Sequence, residues 1–191
     1  MQFKDVIGQT EIKQHLINEV KQDRISHAQM FLGKAGYGTL PLALAFIQYL
    51  FCENRNDFDS CGACPSCNKV GKLQHPDVHF TFPTVQAISK TSDSLYKEWR
   101  EHILNSAYFN LEDWVNKIDV KGRSAIISTD ESQNIIKKLA LKSFEGREKV
   151  LVSNIRSFSH NISHKLYGAI TKKESIFKSK IVFVSSSNLA R

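Results

Sequence analysis

Four cysteines and one glycine loop are the residues of this chain whose types and spacing could do chemistry. Cys52, Cys61, Cys64 and Cys67 are all the cysteines it has, and the last three form C-x-x-C-x-x-C. Thiolates at such spacing suit a tetrahedral ion at a structural site, zinc first of all. Gly62, Pro65 and Ser66 between them are the small or turn-forming residues a metal knuckle needs. Two other uses of four cysteines compete. Disulfides are disfavoured in a reducing compartment, and nothing else in the sequence speaks for the redox work of an iron–sulfur cluster. His75 is a fifth candidate ligand, or simply a turn residue before Pro76. With four thiolates and no open position, a metal here would hold structure and not catalyse.

The glycine loop is Gly33-Lys34-Ala35-Gly36-Tyr37-Gly38. A phosphate loop reads G-x-x-x-x-G-K-[ST], with the lysine reaching the β- and γ-phosphates and the hydroxyl binding Mg²⁺. Gly33 and Gly38 hold the glycine positions, but the next two residues are Thr39 and Leu40. Lys34 stands too early to substitute. The loop can keep its shape without its chemistry, and an ordinary glycine turn between strand and helix would read the same way. Hydrolysis also needs acids at a strand end to hold Mg²⁺ and orient water. The apolar run Lys149–Val152 is followed by Ser153-Asn154-Ile155, which offers none. The pair Asp130-Glu131 follows Ala125-Ile126-Ile127, but Ser128-Thr129 intervene and read as a helix cap, with Glu131 completing a capping box on Ser128.

Elements alternate around these residues. A helix is expected over Thr10–Lys21, with Ile12, Leu16, Ile17 and Val20 on one face. A strand Ala28–Leu32 enters the glycine loop, and an almost wholly apolar helix Leu40–Phe51 leaves it, as fits packing under a sheet. A loop-rich insertion, 52–74, carries the cysteines. Asp77–Phe82 reads as a second strand ended by Pro83. Ser94–Ser106 reads as a helix with Trp99 and Ile103 one turn apart. The helix opened by Ser128 has Ile135, Ile136, Leu139 and Leu141 as apolar positions. Lys149–Val152 and Lys180–Ser185 are further strands, with Ile155, Phe158, Ile162, Leu166 and Ile170 at helical spacing between them. Alternation of this kind gives an α/β fold with a mostly parallel sheet.

The 191 residues are 41% hydrophobic and 24% charged, the composition of a globular protein. The start, Met1-Gln2-Phe3-Lys4-Asp5, lacks the apolar stretch of a signal peptide. The run Leu40–Cys52 is too short to span a bilayer, so the expected location is the cytoplasm. The net charge of +7 lies wholly in the segment from Lys149 onward, where Glu174 is the single acid. That segment could face nucleic acid or an acidic partner, or be a solvated helix face.

Taken together these residues resemble a family. Phe3-x-x-Val6-Ile7-Gly8-Gln9, Ser26-His27-Ala28 leading into Phe31-Leu32-Gly33, the glycine loop, a four-cysteine insertion after the loop helix, and His75-Pro76-Asp77 are similar to the N-terminal AAA+ domain of bacterial clamp-loader subunits. The altered loop resembles the delta-prime subunits of DNA polymerase III more than the ATP-hydrolysing gamma/tau subunits. Leu139–Gly146 before the third strand is similar as well. The resemblance covers most of residues 1–152.

It implies a three-layer αβα sandwich of P-loop AAA+ type over 1–191, incomplete, with the zinc-binding insertion 52–74 inside it and the lid and collar domains absent. It maps zinc to Cys52, Cys61, Cys64 and Cys67, the nucleotide loop to Gly33, Gly36, Gly38 and Thr39, and the adenine-side box to Val6 and Ile7. It implies a non-catalytic subunit of the DNA polymerase holoenzyme, without bound nucleotide, acting as a stator in the ring that loads the sliding clamp. Partners would be the gamma/tau and delta subunits, with clamp and primer-template DNA met indirectly. The Ser-Arg-Cys arginine finger of the family is not in this chain. His164-Lys165-Leu166-Tyr167-Gly168 departs from the family's Asn-Lys-Leu-Leu, and Thr171-Lys172-Lys173 stands where it has Glu-Glu-Pro. Other readings are an active AAA+ ATPase subunit and a zinc-knuckle nucleic-acid-binding module using the basic tail.

Overall fold

A computed structural model of the chain describes residues 1–34, 36–145, 148–154 and 179–186. Its centre is a sheet of four parallel strands: β1 (Ala28–Gly33), β2 (Val78–Thr81), β3 (Lys149–Asn154) and β4 (Ser179–Ser186), in the order β1-β4-β3-β2. Phe31 pairs with Val184 between β1 and β4, Val152 with Val182 between β3 and β4, and Phe80 with Val152 between β2 and β3.

Side chains alternate across a strand, and here that alternation builds two cores. Val150, Val152, Val182 and Val184 join the larger core with Phe31, Phe46, Trp99 and Trp114. Leu151 and Ile181, pointing the other way, pack with Ile135 and Leu139. Helices on both faces make three αβα layers, as the sequence leads one to expect.

The first helix, α1 (Thr10–Lys21), has the expected bounds and buries Leu16, Ile17 and Val20, while Ile12 remains 46% exposed. The loop helix, α2 (Thr39–Phe51), is buried almost all round, including Gln48. Pro41 is tolerated because it lies in the first turn, where no intrahelical N–H bond is lost. The insertion contains a short helix of its own, α3 (Pro65–Gly71).

Several sequence expectations need correction. The second strand is shorter than Asp77–Phe82, running Val78–Thr81, and the Asp77 side chain just before it accepts bonds from the Phe144 and Glu145 amides at 2.7 and 2.9 Å. The helix expected from Ser94 begins as a 3₁₀ turn, Ser92–Leu95, and continues as α4 (Tyr96–Asn105). A further helix, α5 (Leu111–Ile118), is not among those expected. Asn110 caps it, and Trp114 enters an aromatic cluster in which Trp99 stacks on Phe82 at 4.3 Å and meets Trp114 edge-on at 4.9 Å. Each such pair adds about 0.5–1.5 kcal/mol beyond its buried area. The Trp114 indole donates to the Pro83 carbonyl at 3.0 Å. The helix opened by Ser128 is α6 (Thr129–Ala140); Leu141 caps its C-terminus and is 67% exposed, not a core position. The helical spacing expected between Ile155 and Ile170 lies outside the described residues.

Among the described residues no helix is long and apolar enough to cross a membrane.

Candidate functional site

The cysteines are gathered by local turns. Cys52 ends α2, Cys61 follows the loop, and Cys64 is the N-cap of α3, with Pro65 behind it at the helical position that suits proline. Cys67 lies in the first turn of that helix. All four sulfurs are within 4.8 Å of one another. Cys61 and Cys67 are 3.9 Å apart, and all four cysteines are free, so none pairs as a disulfide. Backbone amides point at the sulfurs: Cys61 N–H at Cys52 Sγ (3.2 Å), Cys64 N–H at Cys61 Sγ (3.3 Å) and Cys67 N–H at Cys64 Sγ (3.4 Å). Donors aimed at sulfur favour thiolate over thiol.

The Cys61 thiol is brought down to about 6, chiefly by the amides of Ala63 and Cys64. Burial pushes Cys52 and Cys67 the other way. Four sulfurs within 4.8 Å of one another, three of them accepting backbone amides, form a donor set that fits a metal ion, and Cys52, Cys61, Cys64 and Cys67 are the residues that would hold it. His75 does not belong to it. Its ring is buried against Phe51, its Nε2 lies 3.1 Å from Glu145, and its Nδ1 accepts from the Asp77 amide. Burial lowers its pKa, despite the Glu145 carboxylate nearby. Glu145 also pairs with Lys69 of α3, so the knuckle is moored to the segment before β3.

The knuckle is moored at its other side by the chain's first residues. Asp59 accepts from the amides of Phe3 (2.9 Å) and Lys4 (3.0 Å). Gln2 donates to the Ser60 carbonyl, and buried Gln48 of α2 donates to Ser60 Oγ. Asp59, Ser60 and Gln48 carry no sequence signal for this, because their partners are far along the chain.

The glycine loop joins β1 to α2 in the strand–loop–helix setting of a phosphate loop. Gly36 (φ +84°) and Gly38 (φ +77°) take the left-handed conformation that favours glycine. Thr39 opens the helix where that pattern has lysine. Lys34 is exposed on the loop. Asn154, at the end of β3, lines a small hollow of 20 Å³ with Gly36, Gly38, Thr39 and Tyr108. A larger, open hollow of 330 Å³ lies between α1 and β1, with Ile12, Leu16, Met30 and Leu32 among its walls, and it too is bordered by Gly33, Tyr37, Gly38 and Thr39.

Of the two residues expected to form an adenine-side box, Val6 is buried, and its carbonyl accepts from Lys13 Nζ at 2.6 Å. Ile7 is exposed, and its amide donates to the Tyr108 hydroxyl at 2.9 Å. Thus Ile7, Gly38 and Tyr108 meet, as do Gly36, Thr39 and Asn154. Tyr108 is a residue that sequence reasoning misses.

The acidic pair stands elsewhere. Ser128 Oγ accepts from the Glu131 amide at 3.1 Å, the expected N-cap. The other half of the capping box is absent. The Glu131 carboxylate turns inward, 2% exposed, and accepts from Thr81 Oγ1 (2.9 Å), the Ser92 amide (2.9 Å) and Ser92 Oγ. It joins β2 to α6 at the edge of the sheet and does not line the hollow beside the glycine loop.

A family described as DNA polymerase III, delta subunit, matches residues 8–166. The chain belongs to this family. Its relatives include the DNA polymerase III subunit delta' of Bacillus subtilis (strain 168), 32% identical over 90 residues, 47% of this chain and 27% of that protein. The gamma/tau subunit of Mycoplasma pneumoniae is 29% identical over 103 residues, covering 54% and 14%. The gamma subunit of Buchnera aphidicola is 32% identical over 108 residues, covering 56% and 28%. The matched segments thus span between 14 and 28% of these relatives' lengths. The family to which the chain belongs is one of clamp-loader proteins of DNA replication, and the parallel sheet with its strand–loop–helix unit accords with the fold expected of it.

Proposed function

We propose that the chain serves as a non-catalytic, delta-prime-type subunit of the bacterial clamp loader: a stator surface within the polymerase holoenzyme that helps load the sliding clamp. The observation that carries this is the makeup of the glycine loop and its surroundings. Thr39 stands in the lysine position, Asn154 at the end of β3 lines the hollow beside the loop, and the nearest acidic pair in sequence to an apolar run has its glutamate locked to Thr81 and Ser92. A hydroxyl and an amide cannot supply the positive charge and the Mg²⁺-holding carboxylate that phosphoryl transfer needs. Residues Val6, Ile7, Gly33, Gly36, Gly38 and Thr39 then form a vestigial nucleotide site in an AAA+ domain that includes the insertion 52–74.

The metal is zinc, held for structure. A tetrahedral zinc with bonds of about 2.3 Å places its sulfurs about 3.8 Å apart, close to the Cys61–Cys67 separation of 3.9 Å. Partners would be the gamma/tau and delta subunits, with clamp and primer-template DNA reached through the assembled ring.

The test is steady-state phosphate release from Mg-ATP with primer-template DNA present. The expected rate is that of buffer. Turnover that disappears on Gly38→Ala would overturn the proposal in favour of an active gamma/tau-like ATPase. Salt-resistant, sequence-selective DNA binding, with no affinity for gamma/tau or delta, would favour the zinc-knuckle module instead.

A further inference from the structure

We propose that Tyr108 is a built-in stopper of the glycine-loop cradle, occupying with its own ring and hydroxyl the space that a nucleoside diphosphate would otherwise take. The inference rests on reading the loop as a former nucleotide cradle, and adds the residue that closes it. Three observations converge. The Tyr108 ring lies against Gly38 so closely that a Cβ at that glycine would stand 3.0 Å from Cε1. No phosphate oxygen fits between them. The Tyr108 hydroxyl accepts the Ile7 amide hydrogen at 2.9 Å, so one phenol bridges the loop to the Val6-Ile7 segment. The hollow left among Gly36, Gly38, Thr39, Asn154 and Tyr108 is 20 Å³. That is room for about one water, whereas the separate 330 Å³ hollow that also borders Gly38 and Thr39, walled by α1 and β1, is not lined by Tyr108.

The stopper is also held in place. Ser106 Oγ accepts from the Tyr108 amide at 3.2 Å and lies 3.3 Å from the Tyr108 carbonyl. Phe109 anchors the next position, packed edge-on against Trp99 and His102. Asn110 then caps α5 with Asp113 in a reciprocal capping box. Between the end of α4 and the start of α5 the backbone has little freedom, so displacing Tyr108 costs more than one rotamer change. A missing lysine removes affinity for phosphate; a seated tyrosine fills the side of the loop that faces Asn154. The two losses are separable by mutation.

The test uses the purified chain and ADP as the probe, followed by calorimetric titration with and without Mg²⁺. Thr39→Lys returns the charge with Tyr108 in place; Thr39→Lys with Tyr108→Ala returns charge and volume. The double variant is expected to bind ADP at least ten-fold more tightly than Thr39→Lys. Equal affinity in two folded variants would overturn the stopper while leaving the non-catalytic proposal intact, whereas ATP turnover by the unmodified chain would sink that proposal. Amide exchange supplies an independent readout should the double variant fail to fold. The Ile7 amide is expected to exchange several-fold faster in Tyr108→Phe, which keeps the ring and loses the acceptor. An Ile7 amide exchanging at the open-chain rate in the unmodified chain would overturn the proposal.

Discussion

Replacing Glu131 by glutamine isolates a single structural question, whether this carboxylate is a buried joint or a spare acid. The shape is unchanged, and only the charge and one acceptor atom are lost. Three donors converge on the carboxylate: Thr81 Oγ1 and Ser92 Oγ on one oxygen, the Ser92 amide on the other. With glutamine, the amide oxygen can serve the two hydroxyls, and its NH₂ group then confronts the Ser92 N–H. A buried donor left without an acceptor costs about 1–3 kcal/mol, and the two remaining bonds fall from charged to neutral strength, at about 0.5–1 kcal/mol each. The sum is roughly 2–5 kcal/mol. At about 2–4 °C per kcal/mol for a chain of this size, the melting temperature should fall by roughly 4–20 °C. Asp130→Asn, at the exposed neighbour, should stay within about 0.5 kcal/mol of the original. Urea and thermal melts followed by tryptophan fluorescence measure both. Glu131→Gln as stable as the original chain, or Asp130→Asn as damaging as Glu131→Gln, would refute the joint.

His79 should make stability depend on pH. Burial, with Lys149 and Lys138 nearby, pushes its pKa down to about 4, while the unfolded chain titrates near 6.5. Its contribution is therefore complete above about pH 6.5, declines as the unfolded state gains its proton, and is exhausted below about pH 4. The shift caps the effect at about 3 kcal/mol, nearer 2 with partial solvent contact. Urea midpoints at pH 7 and 5 should separate the original chain from His79→Leu, and parallel pH profiles would refute this. Cys64→Ser should abolish binding of about one equivalent of zinc and open 52–74 to proteolysis while the sheet keeps its circular dichroism. Retained metal, or collapse of the sheet, would contradict the knuckle as a local structural site.

The parts of this molecule written in short-range spacing were legible. The bounds of α1, the strand into the glycine loop and the cysteine knuckle all depend on residues within a turn or two of one another. Glu131 shows how a local rule can be half right: Ser128 caps the helix as its spacing implies, but Thr81 and Ser92 compete for the carboxylate and win. No local signal announces them, because they lie 50 and 39 residues away. Helix α5 did carry a signal, Asn110 with Asp113 and then Leu111 and Trp114, but at eight residues it is too short for periodicity to stand out. Tyr108 reaches Ile7 across 101 residues, and a half-buried tyrosine between two helices has no pattern to reveal it.

The tie between Asp59 and the amides of Phe3 and Lys4 also works as a splice in the chain's contour. Without it, bringing Ile7 to Tyr108 closes a loop of 101 residues. With it, the path from Ile7 back to Phe3, across to Asp59 and on to Tyr108 is roughly half as long. Halving a flexible loop lowers its closure entropy by about 0.6 kcal/mol, a factor of almost three in population. The knuckle can in this way favour the seating of a tyrosine it never touches, simply by shortening the walk between the two ends.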